Sequence, residues 1–281
     1  MHAILYFVKK LIFRKEFGYQ LLFGVMLLGV GVFVGRVTKP VRIIRSNVLR
    51  ESGYKYINPV LLCNTNNQQS YNENSELTQK LTDYSNSNNG DNVSVYYLNL
   101  ISGVWSSINE NENYSPASML KIPTVVETLK YQETHPGILS KEVYFDGSFD
   151  DNKAEYFKPE KSVQPGQYYS IENLIPYIVN YSDNNALRLL HDNISPDSFT
   201  KIYQDLNITV PTNGIDFMSV KTYSLFLRLL YNSTYLSRDM SEKVLKLMTN
   251  PDFPKGLAAG VPKNIEVAQK FGEREVFDSK G

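Results

Sequence analysis

From Phe17 to Val37 the chain reads FGYQLLFGVMLLGVGVFVGRV, and this run restricts the possible structures more than any other stretch. Its strong interruptions are Gln20 and Arg36, both near its ends. About 20 apolar residues rising 1.5 Å each are enough to cross the hydrocarbon core of a bilayer. The run is long for the apolar region of a signal peptide, and no A-x-A cleavage site follows it. An uncleaved, N-terminal single transmembrane helix is therefore expected. Lys9, Lys10, Arg14 and Lys15 precede it, and Arg36, Lys39, Arg42 and Arg45 follow it. With basic flanks on both sides, the positive-inside rule does not choose an orientation.

The anchor divides the chain. Residues 1–16 form a basic-apolar lead, 17–37 the anchor, 38–73 a tether, and 74–281 a single globular domain of ordinary size. Within the tether, the apolar stretch Tyr56–Cys63 is expected to dock on the domain. Lys+Arg and Asp+Glu are both 29. A basic footprint for nucleic acid is thus lacking, and no nucleic-acid partner is expected. Cys63 is the sole cysteine, which excludes an intramolecular disulfide and a CxxC site. His2, His135 and His191 are scattered, so no metal and no cofactor is expected.

The domain mixes both periodicities. Leu77 and Leu81 stand four apart in a short helix over 74–85, and SNSNNGDN (85–92) is a turn cluster. Val93–Leu100 and Val104–Ile108 predict a β-hairpin around Gly103. Helices are expected over 118–130, from Ile171 with Ser170 as N-cap, and over 185–191, 219–231 and 240–248. Ile265–Phe271 is a short strand candidate. Strands at both ends with helices between them predict an α+β fold.

Three short elements carry possible chemistry. Ser118-Met119-Leu120-Lys121 is an S-x-x-K, which on a helix places the amine on the same face as the hydroxyl. A neutral lysine there can take the serine proton. Alone the pattern is weak, since Ser198-Phe199-Thr200-Lys201 matches it without supporting context. Ser182-Asp183-Asn184 falls in a loop between two helices, where polar side chains can face a cleft and Asp183 can also cap. Lys270-Phe271-Gly272 ends the strand candidate, and a glycine there permits close approach of a backbone or ligand.

In this order, the three elements make up the set used by class A β-lactamases and penicillin-binding proteins. The surrounding residues extend the likeness. YSPASMLKIP (114–123) resembles the F-S-P-A-S-x-x-K segment of β-lactamase-related serine hydrolases. YSDNNALRLL (181–190) resembles their SDN loop and the helix after it. The stretch from Gly256 to Glu273 resembles the approach to their K-T-G strand, and residues 93–116 resemble their opening hairpin. The resemblance covers about 74–281 and implies a β-lactamase/transpeptidase-like fold, an antiparallel sheet with flanking helices plus a helical subdomain. It also implies roles. Ser118 attacks an acyl carbonyl, Lys121 accepts its proton, and Ser182 relays a proton to the leaving nitrogen. Asn184 holds a substrate amide and Lys121. Lys270 contacts a substrate carboxylate and helps keep Lys121 neutral, and Gly272 belongs to the same binding strand. The backbone N–H groups of Ser118 and Glu273 form the oxyanion hole. The implied partner is a β-lactam or a peptidoglycan peptide of D-Ala type. That substrate class puts the catalytic domain outside the cell membrane, anchored by the single helix.

Two departures qualify the resemblance. Phe271 stands where the family has threonine, which removes a hydroxyl from the carboxylate site. Class A enzymes also carry a deacylating glutamate on a loop after the SDN element, but no glutamate lies between Glu172 and Glu242. Asp216 is the carboxylate nearest that place. Slow deacylation is therefore expected. The alternative is a catalytically weak envelope binding or scaffold protein that keeps the fold. A Ser-His-Asp hydrolase is disfavoured because no G-x-S-x-G elbow occurs. The ending at Ser279-Lys280-Gly281 reads as a turn after the Lys270 strand, so the family's last strands and closing helix are expected to be missing.

Overall fold

The helix starts at Ile171, Asn184, Val220 and Arg238 are each written in the sequence by a capping side-chain oxygen just ahead of them. The computed structural model describes residues 53–58, 71–87, 92–195, 199–209 and 217–273. The expected anchor at 17–37, the expected lead 1–16, most of the expected tether with Cys63, Ser198, Asp216 and residues 274–281 lie outside these. Among the described residues no helix is long and apolar enough to cross a membrane. All of the described residues belong to one unit, Val48–Gly281.

Helix α1 (Ser75–Ser87) precedes a hairpin of β1 (Val95–Leu98) and β2 (Trp105–Ile108) in antiparallel register, with Tyr97 opposite Ser106. Its turn closes on Asn99, whose Oδ1 accepts from Ile101 N–H and Ser102 N–H, and on Gly103 with φ +75°. Strand β3 (Asn113–Tyr114) pairs with the distant β6 (Met218–Ser219). A 3₁₀ turn, Ala117–Leu120, then feeds α2 (Lys121–Thr134). Ile122, Val125, Val126 and Leu129 line one face of α2 and are fully buried or nearly so, the spacing that a helix packed by one stripe requires.

Helix α3 (Ile171–Asn180) is the centre of the core, packing against α2, α4 (Asn184–Asn193) and α7 (Arg238–Met248). Its Ile171, Leu174, Ile175, Ile178 and Val179 are all at most 1% exposed. Ser170 caps it, accepting from Asn173 N–H at 3.1 Å. Ser219 caps α6 (Val220–Asn232) through Thr222 N–H, and Ser237 caps α7 through Met240 N–H. A short α5 spans Lys201–Asp205.

Of the stretch Tyr56–Cys63 expected to dock, residues 56–58 are described. The backbone N–H groups of Lys55, Tyr56 and Ile57 all donate to the Glu242 carboxylate on α7. Ile57 is buried, and Asn58 N–H donates to Tyr231 O.

The strand plan differs from expectation. Among the described residues there is no single sheet but three two-stranded ones. The third pairs β4 (Glu142–Phe145) with β5 (Gln167–Ser170), a hairpin the sequence did not announce. Residues 265–273 form no strand. A strand needs a neighbouring edge. Here Gln269 N–H donates to Met248 O at the end of α7, and its side chain to Phe253 O, so this extended segment is fixed by a helix end instead.

Candidate active site

Ser118 stands in the 3₁₀ turn ahead of α2, with Ala117 before it at φ +45°. The turn is held from outside by Tyr223, whose hydroxyl donates to Met119 O at 3.1 Å. Lys121 is the first residue of α2 and is 2% exposed. Its Nζ lies 2.7 Å from Ser118 Oγ, 2.8 Å from Ser182 O, 3.1 Å from Ser182 Oγ and 2.5 Å from Asn184 Oδ1. Burial pushes the Lys121 amine down to about 8, against the opposing pull of Glu155 and then Asp183. An amine so placed is neutral in a minority of molecules at neutral pH, far more than an ordinary lysine, and in that form it can accept a proton from the hydroxyl beside it.

The loop between α3 and α4 supplies the next two groups. Ser182 adopts φ +58°, a left-handed conformation that turns the chain sharply before α4. The fully buried Asp183 fixes that turn. Its carboxylate accepts from Asn152 Nδ2 at 2.7 Å, Val163 N–H at 2.8 Å and Asn185 N–H at 2.9 Å. Asn152 Oδ1 in turn accepts from Asn184 N–H at 2.8 Å. The connection between β4 and β5 thus forms the floor of the loop.

Lys270 completes the cluster. Its Nζ donates to Ser182 Oγ at 2.9 Å and to Phe271 O at 2.8 Å. Burial and then the charge of Lys121 lower this amine to about 7, with Glu155 opposing. Ser182 Oγ is thereby set between two amines. At Gly272 a Cβ would come within 2.6 Å of Pro116 O and 3.0 Å of Met119 N, so the Lys270 segment lies directly against the Ser118 turn and only glycine fits. Glu273 is adjacent, and its carboxylate accepts from Phe157 N–H. Phe271 stacks on Phe253 with ring centres 4.3 Å apart and meets the edge of Phe157 at 5.0 Å.

The structure therefore joins Ser118, Lys121, Ser182, Asn184 and Lys270 into one hydrogen-bonded group, with Gly272 and Glu273 beside it. Burial is the largest cause of the lowering of Lys121. Glu155 was missed by reasoning from sequence. Its Oε1 accepts from Asn184 Nδ2 at 2.5 Å. No motif marks it, and it precedes the SDN element in the chain, whereas the sequence directs the search for a carboxylate downstream. His135 and His191 stand apart from the group, each against an aromatic ring.

A serine paired with a buried lysine in a helix-rich α+β domain defines a β-lactamase-like serine hydrolase. The chain belongs to the Beta-lactamase enzyme family, whose model matches residues 76–279. Solved structures share the fold. A point mutant of PBP-A, in acyl-enzyme complex with penicillin G, superposes with a TM-score of 0.62 at 19% identity, covering 72% of this chain and 79% of that one. A β-lactamase from Burkholderia phymatum gives 0.58 at 17% identity over 71% and 79%. The carbapenemase VCC-1 from Vibrio cholerae gives 0.55 at 22% identity over 66% and 75%. No curated protein matches the chain.

Proposed function

We propose that the protein forms an acyl-enzyme on Ser118 with β-lactams or D-Ala-type cell-wall peptides. The observation that carries this reading is the 2.7 Å contact between Ser118 Oγ and the buried amine of Lys121. Lys121 takes the hydroxyl proton as Oγ bonds to the acyl carbon. The acyl C–N bond then breaks, and the proton passes through Ser182 Oγ to the leaving nitrogen. Ser182 suits this relay because it contacts Lys121 on one side and Lys270 on the other. Asn184 aligns Lys121 and the substrate amide, while Lys270 and Gly272 border the carboxylate end. The N–H groups of Ser118 and Glu273 polarise the reacting carbonyl. The acyl-enzyme complex of the PBP-A mutant with penicillin G supports the same chemistry here.

Deacylation is slow in this reading, because no glutamate follows the SDN loop at the place where class A enzymes keep their base. A missing general base costs about 10²–10⁴-fold. The substrate class puts the domain on the outer face of the cell membrane, with residues 1–16 inside. The test is labelling with a fluorescent penicillin. The wild-type chain is expected to label and Ser118→Ala to remain dark. Labelling that survives in Ser118→Ala would overturn the assignment.

A further inference from the structure

Glu155 stands where a substrate should be. The Asn184 side chain has one carbonyl oxygen and one NH₂ group. Its oxygen is taken by Lys121, and its NH₂ donates to Glu155 Oε1 at 2.5 Å and more weakly to Asp151 O at 3.3 Å. In the reading above, this NH₂ group receives the amide oxygen of the acyl side chain. The Glu155 carboxylate is also an acceptor, so in the free protein it fills the position of that oxygen.

Displaced from Asn184, the carboxylate cannot travel far. Two residues on, Phe157 is fastened across the cleft. Its N–H donates to the Glu273 carboxylate, and its ring meets the edges of Phe271 at 5.0 Å and Phe253 at 5.3 Å. Substrate amide and Glu155 carboxylate are therefore neighbours in the loaded cleft. Among the described residues no lysine or arginine forms an ion pair with Glu155. The amines of Lys121 and Lys270 act on it only at longer range, because Lys121 is held by Ser118, Ser182 and Asn184, and Lys270 by Ser182 and Phe271 O. A half-buried carboxylate without a direct ion-pair partner favours a cation brought by the ligand against it and repels an anion.

We infer that Glu155 is a specificity-determining residue, favouring acyl donors that carry a cationic amine on the carbon next to the side-chain carbonyl and disfavouring those that carry a carboxylate there. The inference rests on Ser118 being the acylated residue. Three penicillins test it, because benzylpenicillin, ampicillin and carbenicillin share nucleus and phenyl ring. They differ at that one carbon, which bears hydrogen, an ammonium or a carboxylate. The rate of Ser118 labelling is measured for the full chain at about pH 6, below the usual range of an α-amine. Ampicillin is expected to react roughly tenfold faster than carbenicillin, a difference of about 1.4 kcal/mol, with benzylpenicillin between them. Glu155→Gln should bring the ratio to within about twofold, and Glu155→Lys should reverse it. The ratio is internal to each variant, so partial misfolding scales all three rates alike. An unselective wild type, or a ratio that persists in Glu155→Gln, overturns the inference while leaving Ser118 acylation intact. Failure of all three to label Ser118 removes the underlying reading as well.

Discussion

At the scale of single residues, the decisive fact is that an amine is kept in a place where its charge is costly. Lys121 is 2% exposed and lowered to about 8, and Lys270 is lowered to about 7. Both share Ser182 Oγ, so they titrate as a coupled pair with macroscopic steps. Acylation should rise with pH through this range, because the neutral Lys121 is the form that accepts the serine proton. A rate that is flat from about pH 6 to 9 would contradict that role. Stability follows the same sign. Between the lowered values and the ordinary 10.5, the unfolded chain binds more protons than the folded one, so unfolding free energy rises with pH across that window and the full cost is present below it. Lys121→Met should therefore melt higher near neutral pH, by at least about 2–4 °C, while losing acylation. A lower melting temperature would mean that the hydrogen bonds of Lys121 outweigh its desolvation. The S-x-x-K made Lys121 legible in the sequence. Glu155 was not legible, because only folding brings residue 155 to Asn184.

At the scale of elements, local signals were read well and non-local ones poorly. The cap of Ser170 on α3 is a contact within three residues, and the sequence predicts it; Ser219 likewise caps α6, where the sequence places it inside the helix. The buried stripe of α3 likewise follows from its period. The β4–β5 hairpin escaped because its strands are four residues each and are separated by the long connection from 146 to 166. The expected strand over 265–271 failed because periodicity reports a suitable segment but not a free edge to pair with. What the segment does have is contact with the Ser118 turn through Gly272. Gly272→Ala places a methyl 2.6 Å from Pro116 O, a backbone atom that cannot step aside. This substitution should displace Lys270 from Ser182 and lower the acylation rate about tenfold or more, with a melting temperature near that of wild type. An unchanged rate would show that the Lys270 segment need not sit there during reaction. By contrast, Asp183→Ala leaves three donors without their acceptor. It should destabilise the whole domain by about 3 kcal/mol or more, measurable by urea unfolding.

At the scale of the molecule, the family and the α+β class were legible because three short motifs in fixed order outweigh each one alone. The separation of the strands into pairs was not, since pairing depends on partners far along the chain. The account makes the domain an acyl-serine hydrolase that loads readily and unloads slowly. Nitrocefin turnover should show a burst equal to the enzyme present, followed by a slow steady state; rapid turnover without a burst would point to an efficient base in the cleft. The most direct measurement is time-resolved mass spectrometry of the full chain after a brief exposure to benzylpenicillin, with peptide mapping of the adduct. The account predicts one penicilloyl group on the peptide containing Ser118, persisting for many minutes after free drug is removed. An unmodified mass, or an adduct mapped to any other residue, would contradict it.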